Sequence, residues 1–244
     1  MKRLAFIVFA AMAFCNAFGQ YMPNEKGVVY TYEAKNLEDD KTNTYTATVV
    51  DVTTSDKGVV TANIIEKINT EDSFFGEIEE PSTYIYNPAD KKTTYVIVTP
   101  ESFKEMMTKQ IRQMISESGE FVSESDIEEI TSRIKPKGEV SVVLPDEAAP
   151  GSSMPNHTLR ASMGEGMTVG MKITKGTYQG YEEVTTPAGT FNCLKVTYTF
   201  SIIGESADQK VTAWYAPGVG LVKQVDADRK GNEKGVTELQ KIEK

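Results

Sequence analysis

A strict alternation of apolar and polar residues at positions 194–202 constrains the fold more than any other feature of the sequence. Its apolar members are Leu194, Val196, Tyr198, Phe200 and Ile202. A period of two places successive side chains on opposite faces of a β-strand, so one face is buried and the other is hydrated. Similar alternation, rich in Val, Ile, Thr and Tyr, recurs through most of the chain from residue 28 onward. The sequence therefore predicts a mainly β fold of antiparallel strands.

The region 99–136 interrupts this pattern with apolar residues at helical spacing. The first apolar stripe consists of Phe103, Met106, Met107, Ile111, Met114 and Ile115. Thr99 and Pro100 predict the start of this helix and Gly119 its end. Ser123 and Asp126 resemble a capping box for a second helix that Pro136 ends. The two-helix insertion either covers a face of the sheet or forms a mobile flap over a binding cavity.

The N-terminus has the layout of a cleaved secretory signal. Lys2 and Arg3 precede an apolar run at 4–14, and Ala17 and Gly19 supply small residues for cleavage after Gly19. The apolar run is too short to span a bilayer, and no later stretch reaches 18 uninterrupted apolar residues. We therefore expect an exported protein of the periplasm or cell envelope, with no transmembrane segment in the mature chain.

Two features bear on the organisation of the mature chain, 20–244. Cys15 could carry a lipid anchor, but Phe14 stands where such signals have a small residue, so tethering is disfavoured. The Pro-, Ala-, Gly- and Ser-rich segment 145–156 could separate two lobes or be a long loop. We expect a signal peptide at 1–19 and one β-rich domain with a possible division near 145–156.

Charge and motif content argue against several classes of function. The chain has 35 acidic and 26 basic residues and a net charge of −9, which disfavours binding to nucleic acid or to anionic membranes. It lacks a P-loop, a dinucleotide-binding glycine motif and a nucleophile elbow. After signal cleavage Cys193 is the lone thiol, which predicts an inert buried residue, and the lone His157 is expected to be solvated beside the 145–156 segment. We therefore predict no enzyme activity and no cofactor.

Methionines are concentrated within and after the 145–156 segment, at Met154, Met163, Met167 and Met171. The last three are four residues apart, so a continuous strand would point all three the same way. Thioethers bind Cu(I), but flexible methionines equally line apolar cavities or fill cores. Core packing, an apolar ligand lining and a copper site all stay open, in that order of preference.

Trp214 is out of phase with its apolar neighbours Val211, Ala213 and Tyr215. If those three face the interior, Trp214 lies on the opposite face unless a bulge intervenes. An outward tryptophan could be a platform for a partner or a sugar. Cover by a helix is the interpretation we prefer.

Three motifs carry a resemblance to a known family. They are the stretch TPAGTFNC at 186–193, the stretch WYAPGVGLVK at 214–223, and the Lys26-Gly27 start of the strand YTY at 30–32. Together they resemble a family of uncharacterised exported proteins of Gram-negative gut bacteria, grouped as a domain of unknown function. The resemblance implies a curved antiparallel sheet wrapped on helices, like the LolA/LolB-like half-barrels of lipoprotein carriers. It implies no catalytic residues.

These observations predict a non-catalytic binding or carrier module of the cell envelope. The expected ligand is a lipid or another apolar or amphipathic molecule held between the inner sheet face and the first helix. The candidate ligand-binding residues are Phe103, Met107, Met163, Met167, Met171, Tyr198, Phe200 and Trp214. The alternative is a structural component that meets an envelope protein partner. A hydrolase, which would need His157 beside a nucleophile in a pocket, and a copper-binding protein are less favoured.

Overall fold

The computed structural model of the protein describes residues 20–69, 77–119, 121–162, 166–205 and 208–244. Twelve strands form one antiparallel sheet, and two helices, α1 and α2, are inserted between β5 and β6. The strands are β1 Val29–Asn36, β2 Thr42–Thr54, β3 Val60–Asn69, β4 Glu77–Asn87, β5 Lys92–Val98, β6 Val140–Pro145, β7 His157–Ser162, β8 Thr168–Thr186, β9 Gly189–Ile203, β10 Asp208–Ala216, β11 Gly220–Ala227 and β12 Glu233–Glu243.

The sheet curves until its two edges almost meet. The strand order is β6-β5-β4-β3-β2-β1-β12-β11-β10-β9-β8-β7, so β6 and β7 are the edge strands. Just before β6, Lys137 N donates to Arg160 O of β7 at 2.9 Å, and Arg160 N donates back to Lys137 O at 3.0 Å. The expected curved antiparallel sheet with a two-helix insertion is confirmed, and it is a nearly closed barrel rather than a half-barrel.

The apolar row of the alternation at 194–202 faces the interior of the barrel along most of β9, as expected. Leu194, Val196 and Tyr198 are buried in the barrel interior, and Phe200 is partly buried against the same cluster. Ile202, near the end of the strand, is 37% exposed, so the buried row ends before it. The inward row therefore belongs to the core along most of the strand.

Helix α1, Pro100–Ser118, begins and ends at the residues that its sequence predicts. Thr99 and Ser102 form a reciprocal capping box, in which each backbone N–H donates to the other side chain at 3.0 to 3.1 Å. Gly119 closes the helix with a φ of 70°, a left-handed conformation that glycine adopts without steric cost. Phe103 and Ile111 are the two buried side chains of this helix.

Helix α2, Glu124–Ser132, also begins at its predicted capping box. Ser123 Oγ accepts from Asp126 N at 3.2 Å, and Asp126 Oδ2 accepts from Ser123 N at 3.3 Å. The helix ends at Ser132, earlier than the expected stop at Pro136, because Arg133 already acts as the C-cap. In the described part of the chain, neither helix has the length and apolar character needed to cross a bilayer.

The segment 145–156 packs along β8 and enters the core. Gly151 N donates to Tyr178 O at 2.7 Å, and Tyr178 N donates to Ser152 O at 3.0 Å. Ala148 and Met154 are buried in the interior cluster. Strands before and after this segment belong to the same sheet.

Candidate functional site

Five of the eight predicted ligand-binding residues belong to, or pack against, one interior apolar cluster that includes residues of α1. Phe103 and Tyr198 are buried in one apolar cluster of the barrel interior, and Met107, Met171 and Phe200 are partly buried against it. We call these five residues the α1 cluster. Phe103 and Met107 come from one face of α1, whereas the other three come from the inner faces of β8 and β9. The helix therefore covers the inner sheet face, as the sequence predicts.

The structure describes two of the other three predicted residues, and neither belongs to the α1 cluster. Met163 falls outside the described residues. Met167 precedes β8 and is 62% exposed. Trp214 is buried on the outer face of the sheet, in a small cluster with Cys193, Ala216 and Val222. Exposed Met167 and buried Trp214 therefore lie outside the α1 cluster, and exposed Met167 also differs from buried Met154.

Trp214 is covered by side chains of neighbouring strands, so the preferred interpretation of cover by a helix is wrong. Its Nε1 donates to Glu182 Oε1 at 2.5 Å. The ammonium groups of Lys195 and Lys223 lie 5.0 and 6.0 Å from the ring centroid, close enough for cation–π attraction. Because the long aliphatic stems of lysine can shield an aromatic ring, no helix is needed here.

The single tryptophan gives a direct pH test of this cluster. The hydrogen bond from Trp214, followed by that from Lys195, holds the pKa of Glu182 below its usual 4.5. The ionised carboxylate therefore stabilises the fold above the unfolded-state pKa, and this contribution is lost as pH falls through the lower folded-state value. We expect Trp214 fluorescence to change with a midpoint below pH 4.5. Glu182→Gln should remove that transition; an unchanged titration in the variant would contradict the assignment.

His157 is held at the edge of the sheet and is not freely solvated, which corrects the expectation for this residue. Its Nδ1 lies 2.8 Å from Ser141 Oγ, and Ser141 Oγ is also 3.0 Å from Glu139 Oε1. In a hydrolytic triad the histidine stands between the nucleophile and the acid, whereas here the serine occupies the middle. Ser141 is completely buried, so its hydroxyl is inaccessible to a substrate in this state. The arrangement links β6 to β7 rather than forming a nucleophilic site.

Cys193 is completely buried beneath Trp214. Burial, followed by the nearby charge of Glu182, raises the pKa of this thiol to about 12. Because the thiolate is the reactive form of cysteine, this side chain is chemically inert near neutral pH.

A second interior site, which the sequence did not predict, lies among tyrosines of β1, β2, β4 and β5. It is a cavity of about 20 Å³, enough for one or two water molecules. We call it the tyrosine pocket, and it is lined by Pro23, Tyr30, Tyr32, Tyr45, Ala47, Ile64, Glu66, Tyr84, Tyr95, Val219 and Leu221. Tyr95 and Leu221 also pack against the interior cluster that contains Phe103, so the pocket adjoins the apolar interior beneath α1.

Glu66 is the charged residue of the tyrosine pocket. Ser82 Oγ and Tyr95 Oη donate to its Oε1 at 2.9 and 3.0 Å. Burial nevertheless outweighs these two hydrogen bonds and raises the pKa of the carboxyl group above its usual 4.5. Within the described residues, no group of three or more His, Cys, Asp or Glu side chains is placed to hold a metal ion.

One signal in the sequence could have indicated this pocket. Glu66 has the same phase in β3 as the buried Ala62 and Ile64, so it is a charged residue on an apolar face. The inward tyrosines of β1, β2, β4 and β5 follow the same alternation. Their convergence depends on strand register, which the sequence alone does not supply.

The protein is a nearly closed barrel that is formed by one sheet, and α1 packs against its interior. Residues 139–239 match the model of a family described as DUF3108-like. No curated protein matches the chain. These residues lie mostly within β6–β12, so the family match leaves α1 and β1–β5 outside it.

Two solved structures are similar in fold across nearly the whole chain. A candidate lipoprotein from Parabacteroides distasonis has 15% identity and a TM-score of 0.64, with 92% of this chain and 99% of that chain covered. A candidate exported protein with YmcC-like fold from Bacteroides fragilis has 16% identity and a TM-score of 0.61, with 93% and 100% covered. The expected resemblance to an uncharacterised exported family with a barrel-like fold is confirmed.

Proposed function

We propose that this protein is an exported, non-catalytic binding module of the cell envelope that holds an apolar or amphipathic molecule beneath α1. The observation that carries the proposal is the way α1 covers the interior. Only Phe103 and Ile111 of this 19-residue helix are buried, whereas Met106, Met107 and Ile115 are partly buried and pack against the core. A helix attached by so few buried side chains can open locally at low free-energy cost.

Ligand entry requires α1 to move away from the sheet. The tyrosine pocket holds about 20 Å³, whereas drug-sized ligands occupy cavities of roughly 300 Å³ or more. Met106, Met107 and Met171 lie along the contact between helix and sheet. Their unbranched side chains adapt to different shapes, which suits a seam that opens around an apolar chain.

Export and cleavage after Gly19 are supported by the packing of the next residues. Tyr21 and Met22 are buried, at 1% and 0% exposure, and contribute to the two interior clusters. Gln20 N lies 3.3 Å from Oδ1 of Asp146, which is itself 7% exposed. A new α-ammonium group at Gln20 would pair with this carboxylate, so cleavage at this bond would add a charge-assisted contact.

Native mass spectrometry of the protein purified from the envelope of its producing bacterium tests both parts of the proposal. We expect a chain that begins at Gln20 and carries additional mass that organic extraction removes. A chain that retains residues 1–19 would contradict export with cleavage. A correctly processed chain without any extractable ligand would contradict the binding role.

A second candidate function, docking to an envelope protein partner, is favoured by Phe121. This side chain, between the two helices, is 98% exposed, and Met114 of α1 is 63% exposed. Photo-crosslinking in cells from position 121 should capture a defined partner, whereas the same crosslinker at exposed Lys57 should not. Equal capture at both positions would contradict a specific docking role.

A further inference from the structure

The Glu66 carboxylate lines the tyrosine pocket, and the described part of the chain provides no basic partner for it. Among the described residues, its hydrogen-bond donors are the neutral hydroxyls of Ser82 and Tyr95, and no lysine or arginine forms an ion pair with it. Both of these hydrogen bonds end on Oε1. Charges that are largely removed from water are usually paired in proteins, so a mostly buried carboxylate without a basic partner favours either a proton or a cationic ligand.

Other carboxylates increase the negative potential around this position. Glu80 stands directly opposite Glu66 on β4 and, through its charge, raises the pKa of Glu66 further. Burial raises the pKa of Tyr45, and the negative charges of Glu66 and Asp226 raise it further. Asp226 itself accepts hydrogen bonds from Gln224, a neutral amide, at 3.1 and 3.3 Å. The local charges therefore favour a cation over an anion.

Aromatic rings supply the other half of a cation site. Tyr32 and Tyr45 are stacked with ring centroids 5.0 Å apart, and Tyr84 and Tyr95 are stacked at 4.2 Å. All four rings line the same cavity as Glu66. The faces of aromatic rings carry negative potential and attract cations, most strongly where water is excluded.

We propose that the tyrosine pocket binds a primary ammonium group, with the Glu66 carboxylate and the surrounding tyrosine rings as its recognition elements. A cavity of about 20 Å³ matches an ammonium group, which is close to a water molecule in size. Tyr45, Glu66 and Tyr95 are partly exposed, so the pocket is in contact with solvent. The site goes beyond the proposed function, because it requires neither the displacement of α1 nor an apolar ligand.

Saturation-transfer NMR with methylammonium at neutral pH tests this site on the mature protein. We expect transfer to methylammonium and none to methanol, a neutral molecule of similar size. Glu66→Gln should weaken binding at least tenfold while its amide oxygen still accepts from Ser82 and Tyr95. Glu33→Gln, which removes an exposed carboxylate of β1, should leave binding within twofold of the wild type.

A second variant keeps the Glu66 carboxylate and fills the tyrosine pocket with a larger side chain. Ala47 lines the cavity, and Ala47→Leu should abolish methylammonium binding even though Glu66 is unchanged. Absence of transfer in the wild type would overturn the proposal and leave a water-filled cavity beside a protonated Glu66. Unchanged methylammonium binding in both Glu66→Gln and Ala47→Leu would also overturn it. None of these outcomes depends on the ligand beneath α1.

Discussion

Replacing Phe103 with alanine should lower the free energy of unfolding by about 3 to 5 kcal/mol, the usual cost of removing a buried aromatic ring. Phe103 is 2% exposed and is one of two side chains that fix α1 in the barrel interior. The substitution should therefore weaken the attachment of α1 to the barrel as well as lower the global stability. Urea unfolding of the mature protein measures the change.

Met114→Ala is the matched control for this substitution. Met114 lies on the same helix but is 63% exposed, so its loss should change stability by no more than about 0.5 kcal/mol. A cost below about 1 kcal/mol for Phe103→Ala would mean that the ring is not packed as described, since deletion of a buried aromatic side chain seldom costs so little.

A methyl group at Gly138 should disrupt the closure of the barrel. Gly138 has a φ of 84°, and a Cβ atom there would lie 2.1 Å from the carbonyl oxygen of Thr158 on β7. Gly138→Ala must therefore push β7 away from the Lys137–Arg160 bridge. We expect a loss of about 3 kcal/mol or more, from the left-handed backbone together with the collision.

Gly151→Ala separates the cost of the left-handed backbone from the cost of the collision with β7. Gly151 has nearly the same φ, 82°, but no atom lies within 4 Å of its Cβ position. Its substitution should lower the free energy of unfolding by about 1 to 2 kcal/mol, the cost of a side chain in a left-handed backbone conformation. Equal losses in the two variants, measured by urea unfolding, would show that the contact between Gly138 and β7 is not tight.

Local features of the sequence were sufficient to predict much of this fold. The phase of Leu194 to Tyr198 follows from alternation alone, and the start of α1 follows from the Thr99 cap. Both depend on residues that are close in the chain, so they can be read without knowledge of the tertiary structure. The expected cover of the inner sheet face by α1 needed only the apolar stripe that includes Phe103.

Features that depend on distant residues could not be predicted in the same way. The tyrosine pocket combines side chains of β1 to β5 with Leu221, and only strand register brings them together. His157 follows a Pro- and Gly-rich segment that suggested a solvated loop, yet it begins β7 and bonds to Ser141. The cover of Trp214 by Lys195 and Lys223 likewise requires the pairing of three strands.

Spin-label distance measurements give the most direct test of α1 as a movable cover. Labels on cysteines introduced at exposed Lys109 of α1 and exposed Lys210 of β10 report the separation of helix and barrel, and native Cys193 is too deeply buried to react. Labels at Lys210 and exposed Glu33 of β1 provide the control pair. On addition of oleate, the Lys109–Lys210 distance should lengthen while the control distance stays constant. Bound oleate with both distances unchanged, or no oleate binding at all, would contradict an apolar ligand site beneath α1.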